Sequence, residues 1–175
     1  PRLGGATLVP GGGDALLGEP GGLRTCYPRA ESVRPLSPAA ELAVALRRGD
    51  LQVTNGPLLT VSANGAGPGQ TASAPDGKVR VSLRAQAAPY VDLSELSVLV
   101  ITRGGLREAQ RLPVKAATAP LRHQAEVTLP VTEDAAIVVV ARGARPLMQA
   151  GGPRPFAVSA PVYVDRNGDG KVFVK

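Results

Sequence analysis

The chain has 175 residues, of which 43% are hydrophobic and only 3% aromatic, with no Trp and a formal net charge of +6. That is about the length of one domain, and its core has to be packed by Val, Leu and Ala; Val-rich runs favour strands because β-branched side chains fit a pleated surface. The composition argues against a nucleic-acid binder: the basic residues are scattered, with no cluster longer than Arg47-Arg48, and Tyr27, Tyr90, Tyr163, Phe156 and Phe173 are too far apart to group as stacking platforms.

Residues 1–36 are rich in Gly and Pro and read as an irregular tail, with a short strand ending at Leu8-Val9. A helix is expected over 37–48. Ser37 is a good N-cap, Pro38 sits where its missing N–H costs nothing, and Ala39, Leu42, Ala45 and Leu46 share a face before Gly49 supplies a left-handed stop. From Leu51 the period changes to two. Gln52-Val53-Thr54 leads into a turn at Asn55-Gly56-Pro57, and a strand over Leu58 to Val61 precedes Asn64-Gly65. Val79, Val81, Leu83 and Ala85 alternate with Arg80, Ser82, Arg84 and Gln86, which predicts a strand with one wet face.

Leu96, Val98 and Val100 begin another strand, and Gly104-Gly105 signals a hairpin into Leu106–Val114. Ala125, Val127 and Leu129 alternate with Gln124, Glu126 and Thr128. Ile137 to Val140 is apolar on both faces and so predicts a central strand, and Pro161 to Val164 forms the last. About seven short strands with regular turn signals predict a mainly β chain. The expected architecture is an antiparallel, immunoglobulin-like β-sandwich over 51–175, with the helix and tail in 1–50.

Little in the chain is equipped for catalysis. His123, the only histidine, alternates with Ala125 and Val127 and reads as a partly buried strand residue; no Gly-x-Ser-x-Gly elbow accompanies it. The one cysteine, Cys26, excludes an internal disulfide and a Cys-based zinc cage. Gly11-Gly12-Gly13-Asp14 lacks the Gly-Lys-Ser/Thr that a phosphate loop needs. No run approaches the roughly 18 apolar residues of a membrane helix. The chain starts at Pro1 without a signal peptide, which suits a piece of a longer polypeptide, and it is compatible with an extracellular or periplasmic address. Sixteen arginines against four lysines, amid abundant Ala, Gly and Pro, point to a GC-rich bacterial genome.

One loop carries a possible metal chemistry. Asp165, Asn167 and Asp169 place oxygen ligands at positions one, three and five, and Gly170 at six permits a sharp turn, as in the first half of a calcium loop. The bidentate Glu of position twelve is missing and Lys171 adds a positive charge. The other reading is a polar turn after the last strand, with Asn-Gly and Asp-Gly in ordinary turn roles. Both readings stand.

A family resemblance enters at Ala45-Leu46-Arg47-Arg48-Gly49, Val53-Thr54-Asn55-Gly56-Pro57-Leu58-Leu59, Val61, Asn64-Gly65 and Pro68-Gly69. Together with Val79–Gln86, Tyr90-Val91 and the closing Pro161–Gly170, these resemble the segment that joins catalytic and C-terminal domains in CehA/McbA-type metallohydrolases of the polymerase and histidinol phosphatase (PHP) superfamily. The resemblance spans most of 24–170 and is strongest at Val53–Pro57. It implies a β-sandwich following a distorted α/β barrel whose His/Asp/Glu metal cluster hydrolyses ester or phosphoester bonds.

By the same resemblance, 1–50 is the tail and helix remnant of that barrel, and Tyr27-Pro28-Arg29 matches a phrase that follows its late metal ligands. Asp14 falls where a ligand aspartate would stand, as a vestigial barrel ligand, whereas Leu16 occupies the histidine position and cannot bind a metal. The expectation is a non-catalytic C-terminal module of a PHP-like hydrolase or pseudoenzyme. It would pack against the rest of its own polypeptide, with divalent metals only in the missing barrel. The rival is a secreted or cell-surface sandwich that binds a glycan or protein partner and is stabilised by calcium.

Overall fold

Alternation decides what each strand buries. In a computed structural model of the protein, which describes residues 6–10, 24–28, 38–147 and 152–173, Val79, Val81, Leu83 and Ala85 are all buried while Lys78, Arg80 and Arg84 between them are exposed. Among the described residues the chain forms one helix and twelve strands. These are β1 (Ala6–Pro10), β2 (Arg24–Pro28), α1 (Pro38–Arg48), β3 (Gln52–Thr54), β4 (Leu58–Ala63), β5 (Thr71–Ser73) and β6 (Lys78–Gln86). Then come β7 (Glu95–Thr102), β8 (Gly105–Pro113), β9 (Leu121–Pro130), β10 (Ala135–Arg142), β11 (Phe156–Ser159) and β12 (Val162–Asp165).

The chain is mainly β, in two sheets. The smaller is antiparallel, in the order β4-β6-β9; the larger has nine strands, with β10 at its centre pairing β7 on one side and β11 and β12 on the other. Beyond β11 the large sheet continues through β3 and β2 to β1, and β12 pairs with β5. Both sheets contribute to one apolar core: Val79, Val81 and Leu83 from β6 join Leu96, Val98 and Val100 from β7 and Ile137 and Val139 from β10. The short Val and Ala side chains fill this space without a Trp or a buried Phe.

Three features differ from the sequence expectation, each for a local reason. The strands outnumber seven because the tail supplies β1 and β2, which pair with each other and extend the sheet from β3, and because β5 and β11 are additional strands, β11 being split from the expected last strand β12. The larger sheet is mixed, since β5 runs parallel to β12. The β7–β8 hairpin turns at Arg103-Gly104, one residue earlier than expected, and Gly105 opens β8 at φ 125°.

The split in the last strand is itself hydrogen-bonded. Between β11 and β12 the chain leaves β10 at Ala160-Pro161, where the Ala160 N–H donates to Leu51 O at 2.8 Å. That departure would orphan a donor on β10. Instead, the buried Ser159 hydroxyl accepts from the Val139 N–H at 3.0 Å, so the central strand keeps its bonding where its neighbour bends away.

The helix keeps its expected span from Pro38, Ser37 lying outside the described residues, but of the expected face Ala45 alone is buried, Leu42 is half-buried, and Ala39 and Leu46 are exposed. Glu41 lies in its first turn and Arg47 and Arg48 in its last, the arrangement that suits the helix dipole. It ends in a Schellman motif: Asp50 N donates to Ala45 O at 3.1 Å and Gly49 N to Leu46 O at 3.2 Å, with Gly49 at φ 66°. The helix end then lies directly on Gly69, at φ 76°, where a Cβ would stand 1.7 Å from Arg48 O. Gly69 N in turn donates to Pro161 O at 2.8 Å, at the split in the last strand. Gly69→Ala is therefore expected to lower the unfolding free energy by about 3 kcal/mol through overpacking and backbone strain. Urea denaturation, read at constant m-value, checks this; an unchanged midpoint would show that the helix end sits elsewhere.

Candidate functional site

The 165–171 loop follows β12. Asp165 is 7% exposed, and its Oδ1 accepts from Gly168 N at 2.7 Å and its Oδ2 from Gly170 N at 2.8 Å. Asn167 Oδ1 accepts from Asp169 N at 2.9 Å, and Asp169 Oδ1 from Lys171 N at 2.7 Å. Gly168 and Gly170 take φ of 79° and 74°, which lets the chain curl around these oxygens. Across the loop base, Arg166 N donates to Asp134 Oδ1 at 3.0 Å and its Nη1 to Pro75 O at 2.8 Å.

The loop thus closes on itself as a chain of Asx turns, which matches the polar-turn reading. The donor set also suits a hard cation. The side chains of Asp165, Asn167 and Asp169 come from alternate positions, and a carboxylate oxygen that accepts one N–H keeps a second lone pair. Arg166 and Lys171 set positive charge beside it. Among the described residues no three His, Cys, Asp or Glu side chains come together as a metal group. Asp14 and Leu16 lie outside the described residues, as does most of the segment around them.

The Val53–Pro57 motif is a structural corner. Here the chain crosses from the large sheet at β3 to the small one at β4. Gln52 pairs with both main-chain groups of Leu59, accepting from its N–H at 2.8 Å and donating to its carbonyl at 3.2 Å. The buried Thr54 hydroxyl accepts from Gly56 N at 2.9 Å and lies within reach of the carbonyls of Pro57 and Phe156. Asn55 accepts from Phe156 N at 2.7 Å and donates to Arg154 O at 2.9 Å. These side chains stand in for strand partners where the ladder is interrupted, so the residue types of the motif serve the fold.

His123 lies on β9 opposite Ala85, half-buried, on the same face as Ala125 and Val127, and its Nε2 is buried without a hydrogen-bond partner. Cys26 is buried; burial pushes its thiol up against the lowering effect of Arg24, the reverse of what a nucleophilic thiolate needs.

The two sheets differ sharply on their outer faces. Outward positions of the small sheet are mostly polar (Thr60, Arg80, Ser82, Arg84, Gln124 and Glu126), with Leu58 and the 40% exposed Leu121 opposite Gln86 at one end. On the large sheet, the positions that alternate with core-facing Ile137, Val139 and Ala141 are Ala136, Val138 and Val140. Register places Thr25, Val53, Val158, Val140 and Ser97 in one row, and Tyr163, Ala136, Ile101 and Leu106 in another. Val53 is 37% and Leu106 62% exposed, and Val138, Val158, Leu99 and Tyr163 are half-buried. At one margin of this apolar face lies a charged network. Glu108 accepts from Ser97 Oγ at 2.6 Å and pairs with Arg111 at 2.8 Å, while Glu95 lies 3.5 Å from Arg111 and 3.6 Å from Arg142. The doubly apolar run Ile137–Val140 was the sequence signal for this face, but its breadth depends on register.

A second cluster of charge lies among the loops next to the corner. Asp92 accepts from the N–H groups of Ala144 at 2.7 Å and Arg145 at 3.0 Å, and pairs with the Arg145 guanidinium at 3.2 Å. No known protein family, curated protein or solved structure matches the chain.

Burial raises the Asp92 carboxyl, but the N–H groups of Arg145 and Ala144 and the Arg145 side chain outweigh it and hold the group below the usual aspartate range. A carboxyl lowered by folding contributes stability above its unfolded pKa and loses it as pH falls through the folded one. Asp92→Asn is therefore expected to be less stable than the parent at about pH 7, with the gap closing towards about pH 3. Thermal unfolding across that range measures it, and a gap independent of pH would contradict the assignment.

Proposed function

We propose that the chain is a non-catalytic, immunoglobulin-like β-sandwich module of a PHP-like metal-dependent hydrolase or pseudoenzyme, and that it packs against the catalytic barrel of its own polypeptide. The observation that carries this reading is the outer face of the large sheet. An apolar centre with a charged margin is the anatomy of an interface, with a dry core and a polar rim, whereas the small sheet presents mainly polar residues to water, with Leu121 at one end. The half-covered α1, whose Leu46 is 56% exposed beside the buried Ala45, supports the same reading. The resemblance at Val53–Pro57 supplies the identity of the partner. The chain by itself, supplied with zinc, manganese or magnesium, is expected to show no turnover of p-nitrophenyl phosphate or p-nitrophenyl acetate above a blank. Metal-dependent turnover from a clean preparation would overturn the proposal.

The rival binding-module reading gains support from the 165–171 loop, for which we propose calcium as the ligand. Asp165, Asn167 and Asp169 would hold it, and the ion would rigidify the loop after the last strand. With three side-chain ligands and two neighbouring cations, affinity belongs at the weak end, about 10⁻⁴–10⁻³ M. Calorimetric titration of calcium is expected to give heat that Asp169→Ala removes, together with a rise in melting temperature. No heat and no rise would leave the loop a polar turn.

A further inference from the structure

The chain's positive charge is unevenly placed. Four connections share one end of the two sheets: β3 to β4, β6 to β7, β8 to β9 and β10 to β11. Arg84 near the end of β6, Lys115 in the β8–β9 connection, Arg122 just after it and Arg154 before β11 all lie at this end, together with Asp92 and Glu95, which pair with Arg145, Arg111 and Arg142. Among the described residues none of the first four takes part in an ion pair, and Arg145 remains 78% exposed in its pair with Asp92. At the opposite end, Asp134, Asp165 and Asp169 offset Arg166 and Lys171, so the field there is mixed.

One aromatic ring stands out among these cations. Tyr90 is 81% exposed, on a loop that is held on both sides. Val91 N donates to Ala88 O at 3.0 Å, and Arg122 Nη2 bonds to the carbonyls of both Ala88 and Val91. Val91 is buried, and Pro89 precedes Tyr90. A loop already held in place lowers the ordering cost of binding.

We propose that this end is a binding surface for an anionic polysaccharide, with one sugar ring on Tyr90 and the flanking carboxylates on Arg154 and Lys115. A sugar lays its C–H face on an aromatic ring, and a uronate polymer alternates such faces with negative charge. That match needs one platform with cations spaced around it. A single-stranded nucleic acid needs several grouped platforms, and the surface has one. The surface adjoins the Glu95–Arg142 margin of the large sheet's outer face without including its apolar centre, and the proposal does not rest on barrel packing.

The test is affinity electrophoresis or calorimetry of the chain with polygalacturonate, beside neutral dextran and oligothymidylate, at low and high salt. The expected result is binding to polygalacturonate, none to dextran, and weaker binding to oligothymidylate. Tyr90→Ala is expected to weaken polygalacturonate binding at least tenfold, and Lys115→Glu with Arg154→Glu to weaken it further and flatten its salt dependence. These positions are exposed, and circular dichroism would confirm that the variants fold. Absence of binding at low salt, affinity unchanged by Tyr90→Ala, or oligothymidylate bound as tightly as polygalacturonate would each overturn the proposal.

Discussion

The fold depends on keeping β10 fully hydrogen-bonded while its neighbour changes partners. β10 is buried on both faces, so every main-chain group along it must find a partner inside the protein. The strand beside it turns off at Ala160-Pro161 so that β11 can meet β3 and β12 can meet β5. The Ser159 hydroxyl supplies the missing acceptor for Val139. Because that one side chain stands in for the ladder, the sheet can divide into two ribbons on one side without leaving a buried donor open. The tail strands and α1 attach to one ribbon, and the 165–171 loop ends the other.

The same device recurs at the corner between the sheets. Gln52, Thr54 and Asn55 each replace a main-chain partner with a side-chain amide or hydroxyl, and Gly56 lies where a Cβ would come within 3.0 Å of Val91. The Val-Thr-Asn-Gly-Pro phrase therefore has a sufficient cause in backbone satisfaction. Gly69 is of the same kind, with its conformation dictated by the end of α1. Such positions mark the fold strongly and leave the chemistry of a site to other residues.

Periodicity made much of this legible. The alternation in β6 and β9, the doubly apolar β10, and the Pro38 and Gly49 limits of α1 all have local causes, so the sequence alone carried them. Pairing between distant segments has no such local cause. Nothing in Thr71–Ser73 distinguishes a strand that will run parallel to β12, and Arg24–Pro28 becomes a strand because β3 offers it an edge. The outer apolar face was visible only strand by strand, as Leu99, Ile101 or Val138, until register aligned them. Of the candidate loop, the residue types and spacing were legible. The closure of its oxygens on its own N–H groups follows from two left-handed glycines, which sequence suggests but does not fix. Tyr90 was only a spaced aromatic until Arg122 was seen to brace its loop.

The route from β3 to β11 has a consequence for biosynthesis. Thr54 and its acceptor on Phe156 are 102 residues apart. At roughly 5–20 residues per second, β3 leaves the ribosome about 5–20 s before the strand that completes it. Until then the edge of β3 that β11 covers in the finished sheet stays open. Such an edge is a template for pairing with other chains, and late closure of this kind slows folding. The nascent protein therefore passes through a stage in which β3 and the strands paired to it need shielding, and the emergence of β11 ends it.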